Sequence, residues 1–185
     1  MTTFTLYTPT TAPAGSADIL KGIEKAWGFV PNLHRELAES PQALQAYGTL
    51  WDLVEKTAFT PVERHVAYLA VIYENGCEYC MAGHTKLSLS AGLTAAQVDA
   101  IRNNRPLEDA RLEALRAFAA QVTRQRGRLT DAQVASFRNA GYANRAVLDV
   151  ILITATKLIS NYTNHFAHSP LDPFMKGSEW KAPAI

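Results

Sequence analysis

The stretch "TPVERHVAYLAVIYENGCEYCMAGHTKLSLSAG", residues 60–92, reads as two helices joined by a sharp reversal. Thr60, Pro61 and Glu63 form a capping box with proline at the first helical position, and Val62, Val66, Leu69, Ala70 and Tyr73 follow at helical spacing. Asn75-Gly76 favours a left-handed backbone step that ends this helix. A second helix then starts near Cys77, carries Leu87 and Leu89, and closes at Gly92. This register places Cys77 and Cys80 in a first turn. It also puts Cys77, Cys80 and His84 on one face, because residues three and four apart on a helix are neighbours with Cβ atoms about 5–6 Å apart.

Further helices extend outward in both directions. Ser40-Pro41 opens one, and "LEDARLEALRAFAAQVTRQRG" (107–127) carries Leu112, Leu115, Phe118, Ala119 and Val122 on one side with Gly127 as its stop. A last long helix follows Asn144 and contains "AVLDVILITATKLI" (146–159), a core or subunit-interface element. "LTAAQVDAIRN" (93–103) and "LTDAQVASFRN" (129–139) repeat the same cap and core, as two similar capping boxes or as duplicated helical hairpins. Alternating apolar and polar residues occur only in "FTLYTPT" (4–10), so no sheet is expected. The expected fold is an all-α, single-domain helical bundle over 1–185, with 1–14 as an extended arm and 174–185 as a loose tail.

A chain of 185 residues with 48% hydrophobic content can bury one substantial core. Its 18 Lys and Arg are scattered among 17 Asp and Glu, for a net charge of +1. No basic stripe points to a nucleic acid or an anionic membrane, which leaves small molecules and other proteins as partners. The start of the chain lacks the charged and apolar regions of a secretory signal, and 146–159 is read as too short and interrupted to span a bilayer, so the expected location is cytoplasmic. In a reducing cytosol a Cys-x-x-Cys pair is catalytic or metal-binding more often than a structural disulfide.

A thiol attacks as its thiolate, and two features here lower its pKa: the positive end of the helix dipole and a histidine, His84, able to take its proton. Cys80 is accordingly the candidate nucleophile. If it attacks the O–O bond of a hydroperoxide it becomes a sulfenic acid, with which Cys77 can condense to a disulfide. The pair could instead be core packing beside Met81 and Ala82. Zinc is disfavoured, since three ligands crowded on one or two turns leave the fourth position to Glu74 or a distant residue. Thioredoxin-like chemistry would call for a βαβ context, and no flavin, NAD or haem motif is present. Glu74 could relay protons, or be an exposed charge at a helix end. Glu63 could face the site, or serve only its capping box, and His65 could be a catalyst or a partly buried helix residue. Near the C-terminus, "NYTNHFAHSPLDP" (161–173) offers Asn161, Tyr162, Asn164, His165 and His168, either lining a pocket or interface or solvating a helix end.

Glu74, Cys77, Cys80 and His84, with the Asn75-Gly76 step between, resemble the site of the AhpD-like alkylhydroperoxidases of the carboxymuconolactone decarboxylase superfamily. The resemblance continues through "GFVPNLHRELAESPQAL" (28–44) and "NYTNHFAHSPLD" (161–172), covers roughly 15–173, and is to the peroxidase-related branch. It implies helical hairpins, a trimer-based or hexameric homo-oligomer, and a cofactor-free peroxidase that takes a hydroperoxide and a dithiol or lipoyl-type protein reductant. By the same resemblance Cys80 is the peroxidatic thiol, Cys77 its resolving partner and His84 part of a proton relay. The position where the family carries its relay carboxylate is His65 here, so Glu74, Glu63 or His65 must complete the relay. The decarboxylase members do not generally rely on this cysteine pair, which leaves lactone chemistry as a lesser alternative. An oligomeric redox sensor is the non-enzymatic alternative, and it would consume about one equivalent of oxidant where an enzyme consumes many.

Overall fold

A computed structural model describes residues 4–183, which form nine helices and no strand. In chain order these are α1 (Ala17–Trp27), α2 (Asn32–Leu37), α3 (Pro41–Glu55), α4 (Pro61–Asn75), α5 (Glu78–Ser90), α6 (Ala95–Arg102), α7 (Ala110–Arg124), α8 (Asp131–Asn139) and α9 (Asn144–Ala167). A 3-10 turn follows at Pro173–Met175.

The caps set these boundaries. Thr60, Thr94 and Thr130 each accept a hydrogen bond from the backbone three residues on, while Glu63, Gln97 and Gln133 reach back to the cap. The repeated segments are therefore α6 and α8, two capping-boxed helices. Asp109 caps α7 by accepting from the N–H groups of Arg111 and Leu112. Gly76, at φ 66°, takes the left-handed step after α4, where a side chain would be strained, and its N–H closes onto Ile72 and Tyr73 carbonyls.

The α4–α5 pair forms the middle of the molecule. Every residue from Val66 to Ile72 is buried, so α4 is surrounded on all sides, packing on α5, α6, α7 and α9. Truncating Leu69 or Ile72 to alanine in such a setting costs about 2–5 kcal/mol. On α5, everything from Tyr79 to Thr85 is likewise buried.

Helix α9 runs across this pair and packs on α2, α3, α4 and α7. Its 24 residues are long and apolar enough, by length and composition alone, to cross a bilayer, a test that the core helix of a globular protein also passes. Its buried face is apolar at first, through Ala146, Val150 and Ile153, and then polar: Thr156, Lys157, Ser160, Asn161 and Asn164 all point inward.

Both chain ends are tied down over their described residues. Arg35 donates to the carbonyls of Leu6 and Tyr7, holding the arm expected at 1–14 against α2, while residues 1–3 lie outside the described part. The segment expected as a loose tail is anchored instead. Arg102 donates to the carbonyls of Ser178 and Glu179, the Trp180 indole donates to the carbonyl of Arg102, and Met175 is buried. Residues 184–185 of that tail lie outside the described part.

Candidate active site

Cys77 is the N-cap of α5: its backbone is extended and its Sγ accepts from the N–H of Cys80 at 3.4 Å. Both cysteines are free and buried. The Cys77 thiol donates to Cys80 Sγ, and Asn164 Nδ2 donates to the same sulfur at 3.2 Å. Ser160 and Asn161 also lie beside it and favour its ionised form, and Asn161 is oriented by Asn75, which donates to its oxygen at 2.8 Å. The first turn of one helix and the polar stripe of another thus converge on a single sulfur.

One full charge is buried with them. Lys157 is 1% exposed, and its Nζ donates to His84 Nε2 at 3.0 Å while lying 5.5 Å from the Tyr68 ring centre. Burial lowers the lysine pKa, and the two thiols oppose that shift. Burial alone would raise the Cys80 pKa, but the Cys77 hydrogen bond, the Lys157 charge and the Asn161 and Ser160 contacts outweigh it and bring it below the ordinary thiol value. The Cys77 pKa moves the other way, because its proton is engaged by Cys80 and because it is buried. The pair is therefore a thiolate at Cys80 held by a thiol at Cys77.

His84 does not take the thiol's proton directly, as its helical spacing suggested. Its Nε2 is occupied by Lys157, and burial, then the Lys157 charge and His65, push its pKa well below the ordinary value. It is a neutral imidazole accepting from the lysine at Nε2. That leaves the proton on Nδ1, which is buried and has no partner.

Beside Cys80 lies a chamber of about 50 Å3 walled by Trp27, Tyr47, Trp51, Tyr79 and Phe174. His34 and His84 also line it, and each has an unpartnered Nδ1. Gly83 lies under its roof: a Cβ there would meet Met175 Cε at 2.9 Å, so the flexible end of this methionine packs directly on the α5 backbone.

The other candidates separate into two groups. Glu74 is not brought to the thiols; both its oxygens are taken by Arg124 on α7, at 2.6 and 2.8 Å. Glu63 is held by its own cap, by Arg111 at 3.1 Å and by the Tyr142 hydroxyl at 3.1 Å. His65 stands closer to the chemistry, with its ring centre 5.7 Å from that of His84 and its Nδ1 on Ser88. Asn161 and Asn164 belong to the site. Lys157 was not singled out in the sequence, although its position at i, with Ser160, Asn161 and Asn164 at i+3, i+4 and i+7, marks a polar face inside an apolar helix. Among the described residues no group of three or more His, Cys, Asp or Glu side chains could hold a metal ion.

Residues 39–118 match the carboxymuconolactone decarboxylase family. No curated protein matches the sequence. Among solved structures, a peroxidase-related protein with an alkylhydroperoxidase AhpD core from Ralstonia eutropha JMP134 superposes with a TM-score of 0.81 at 20% identity, over 95% of this chain and 96% of that one. A peroxidase-related protein from Silicibacter sp. TM1040 gives 0.79 at 19% identity, over 95% and 93%. The debrominase Bmp8, in a complex with 2,3,4-tribromopyrrole, gives 0.77 at 18% identity, over 96% of both chains. The fold is thus AhpD-like over 95% of the chain, and its segment 39–118 is similar to the carboxymuconolactone decarboxylase family.

Proposed function

We propose that the protein is a thiol-dependent peroxidase that reduces hydroperoxides through a Cys77/Cys80 dithiol–disulfide cycle. The observation that carries this reading is the stabilised sulfur: Cys80 accepts from Asn164, is hydrogen-bonded by Cys77 and is paired electrostatically with Lys157. The Cys80 thiolate attacks the O–O bond; an S–O bond forms, the O–O bond breaks, and an alkoxide leaves. The Lys157 ammonium, held by neutral His84, gives that alkoxide its proton. The Cys77 thiol then displaces water from the Cys80 sulfenic acid, and a dithiol reduces the resulting disulfide. A reducing cytoplasm supplies such a dithiol.

The test is steady-state consumption of cumene hydroperoxide with excess dithiothreitol. Many turnovers are expected, lost in Cys80→Ser, and Cys77→Ser should leave a sulfenic acid on Cys80 that dimedone labels. A single equivalent consumed would make the protein a sensor. No oxidation at all would refute the reading.

The aromatic walls and the likeness to Bmp8 favour a second reading, reductive debromination of an aromatic ring. Its electron balance is the same: a carbon–bromine bond becomes carbon–hydrogen, bromide leaves, and the dithiol becomes a disulfide. The chamber of about 50 Å3 favours the peroxide. It has room for the few atoms of an O–O head, since one water takes about 10–15 Å3, whereas a polybrominated ring would need the walls to part. Bromide release from a brominated pyrrole would reverse the order of the two readings.

Copies of the chain meet, in this proposal, on the outer face of α9. Leu148, Ile151, Tyr162 and Phe166 are 66%, 48%, 51% and 67% exposed there, and their spacing aligns them in one apolar stripe along the helix.

A further inference from the structure

The two thiols open on different cavities. Cys80 lines the aromatic chamber and Cys77 does not. A second cavity, of about 530 Å3, includes Cys77 but not Cys80, and is walled by Gly76, Glu78, Asn164, His165 and His168. Tyr79 borders both spaces, and Asn164 lines the second while donating to Cys80, so these two residues form the partition.

We propose that the second cavity is the port through which an external dithiol reduces the Cys77–Cys80 disulfide, so that oxidant and reductant reach the first turn of α5 by separate routes. This rests on the peroxidase reading for how the disulfide arises, and not for how it is reduced.

Three observations point the same way. Thiol–disulfide exchange proceeds by attack of a thiolate on one sulfur with expulsion of the other, and the better-stabilised thiolate leaves faster. Here that sulfur is Cys80, with Asn164 and Lys157 ready to receive it, so attack belongs at Cys77, the sulfur on the side of the second cavity. The walls also differ in kind. The chamber by Cys80 is small and aromatic, whereas the port is larger and is bordered by the polar side chains of Glu78, His165 and His168.

The third observation concerns access. In the dithiol state Cys77 has no exposed surface, and its sulfur is engaged as the N-cap acceptor for Cys80 N–H. Oxidation bonds that sulfur to Cys80 and takes the acceptor away. The first turn of α5 then loses its cap at the floor of the port, so Cys77 is offered to a reductant when there is a disulfide to reduce.

The step balances without another reagent. The first thiolate of the dithiol bonds to Cys77 Sγ, the Cys77–Cys80 bond breaks, and Cys80 leaves as a thiolate. The second thiolate of the same reductant attacks the reductant's sulfur in the mixed disulfide, closes a cyclic disulfide, and releases Cys77, which takes up a proton.

The test starts from disulfide made with diamide, so it needs no peroxide. Reduction by dithiothreitol is followed by stopped-flow tryptophan fluorescence in the wild type and in Glu78→Trp and His165→Trp, two variants at the rim that fill the port. Reduction is expected to slow by about tenfold or more in both, a rise in barrier of the size a blocked approach imposes. Oxidation of the reduced variants by cumene hydroperoxide should stay at the wild-type rate. Leu87→Trp, on the aromatic chamber, should show the reverse pattern. In the unaltered protein, 2-mercaptoethanol with an early acid quench should leave its adduct on Cys77 by peptide mass spectrometry. An adduct on Cys80, or wild-type reduction rates in both port variants, would overturn the proposal. Failure of the peroxidase reading looks different: hydroperoxide would not oxidise the protein, while the diamide-made disulfide would still be reduced through Cys77.

Discussion

Replacing Asn164 tests the origin of the Cys80 thiolate most directly, because its amide nitrogen is 3.2 Å from the sulfur and no other group on α9 donates at a comparable hydrogen bond to it. A hydrogen bond to a charged group contributes about 1.5–3 kcal/mol. At about 1.4 kcal/mol per pKa unit, Asn164→Ala should raise the Cys80 pKa by roughly one to two units. From a Cys80 pKa of about 6, that lowers the thiolate fraction at pH 7 by roughly two- to tenfold, and with it the rate of attack on peroxide. Asn164→Asp keeps the shape and exchanges the donor for an anion. Two unit charges about 4 Å apart at an effective dielectric of about 20 repel by roughly 4 kcal/mol. The aspartate and the thiolate should then share one proton near neutrality, and turnover should all but cease. The assay is the pH dependence of iodoacetamide labelling at Cys80, read by peptide mass spectrometry, with thermal unfolding as the control for fold. If Asn164→Ala titrates with the same midpoint as the parent, the amide does not hold the thiolate, and the argument from the polar stripe of α9 fails.

Three further outcomes are expected. Glu74→Gln should leave peroxide turnover and Cys80 labelling unchanged, because its carboxylate serves Arg124. It should lower stability by roughly 1–2 kcal/mol, since Glu74 is 8% exposed and Arg124 is 60% exposed, between the surface and buried cases; loss of turnover would restore Glu74 to the relay. Burial, then Lys157, lowers the His34 pKa to about 4, and burial, then Arg64 and Lys157, does the same for His65. Both folded values lie below the unfolded value, so their contribution to stability is present above pH ~6.5 and is lost as pH falls toward 4, by up to about 1.4 kcal/mol per unit for each histidine. The urea midpoint should therefore drop across that window, and a flat profile would refute neutral burial. Finally, Leu148→Glu with Phe166→Glu should dissociate any oligomer in sedimentation velocity without lowering Cys80 reactivity; an unchanged mass would place the contact elsewhere.

What was legible in the sequence is what the chain encodes locally. Thr60 with Glu63, the Asn75-Gly76 step and the three-residue spacing of Cys77 and Cys80 act over a few residues, and they produced α4, α5 and the first turn that carries the thiols. Glu74 was misread because its partner, Arg124, is 50 residues further on, on another helix. The C-terminal segment was misread for the same reason: it is held by Arg102, which no neighbouring residue announces. Lys157 is the more instructive omission. A stretch such as 146–159 reads as apolar, yet the helical periodicity that marks a greasy face marks a polar one equally well. A lysine in that position is placed among groups that must answer to its charge. It favours the thiolate of Cys80, and it adds to the burial that lowers the pKa of His34, His65 and His84. In a medium that screens charge poorly, one ammonium acts on all four groups at once. The same residue that favours the ionised nucleophile adds to the burial that keeps the surrounding imidazoles uncharged, and in the proposed reaction it supplies the leaving group's proton.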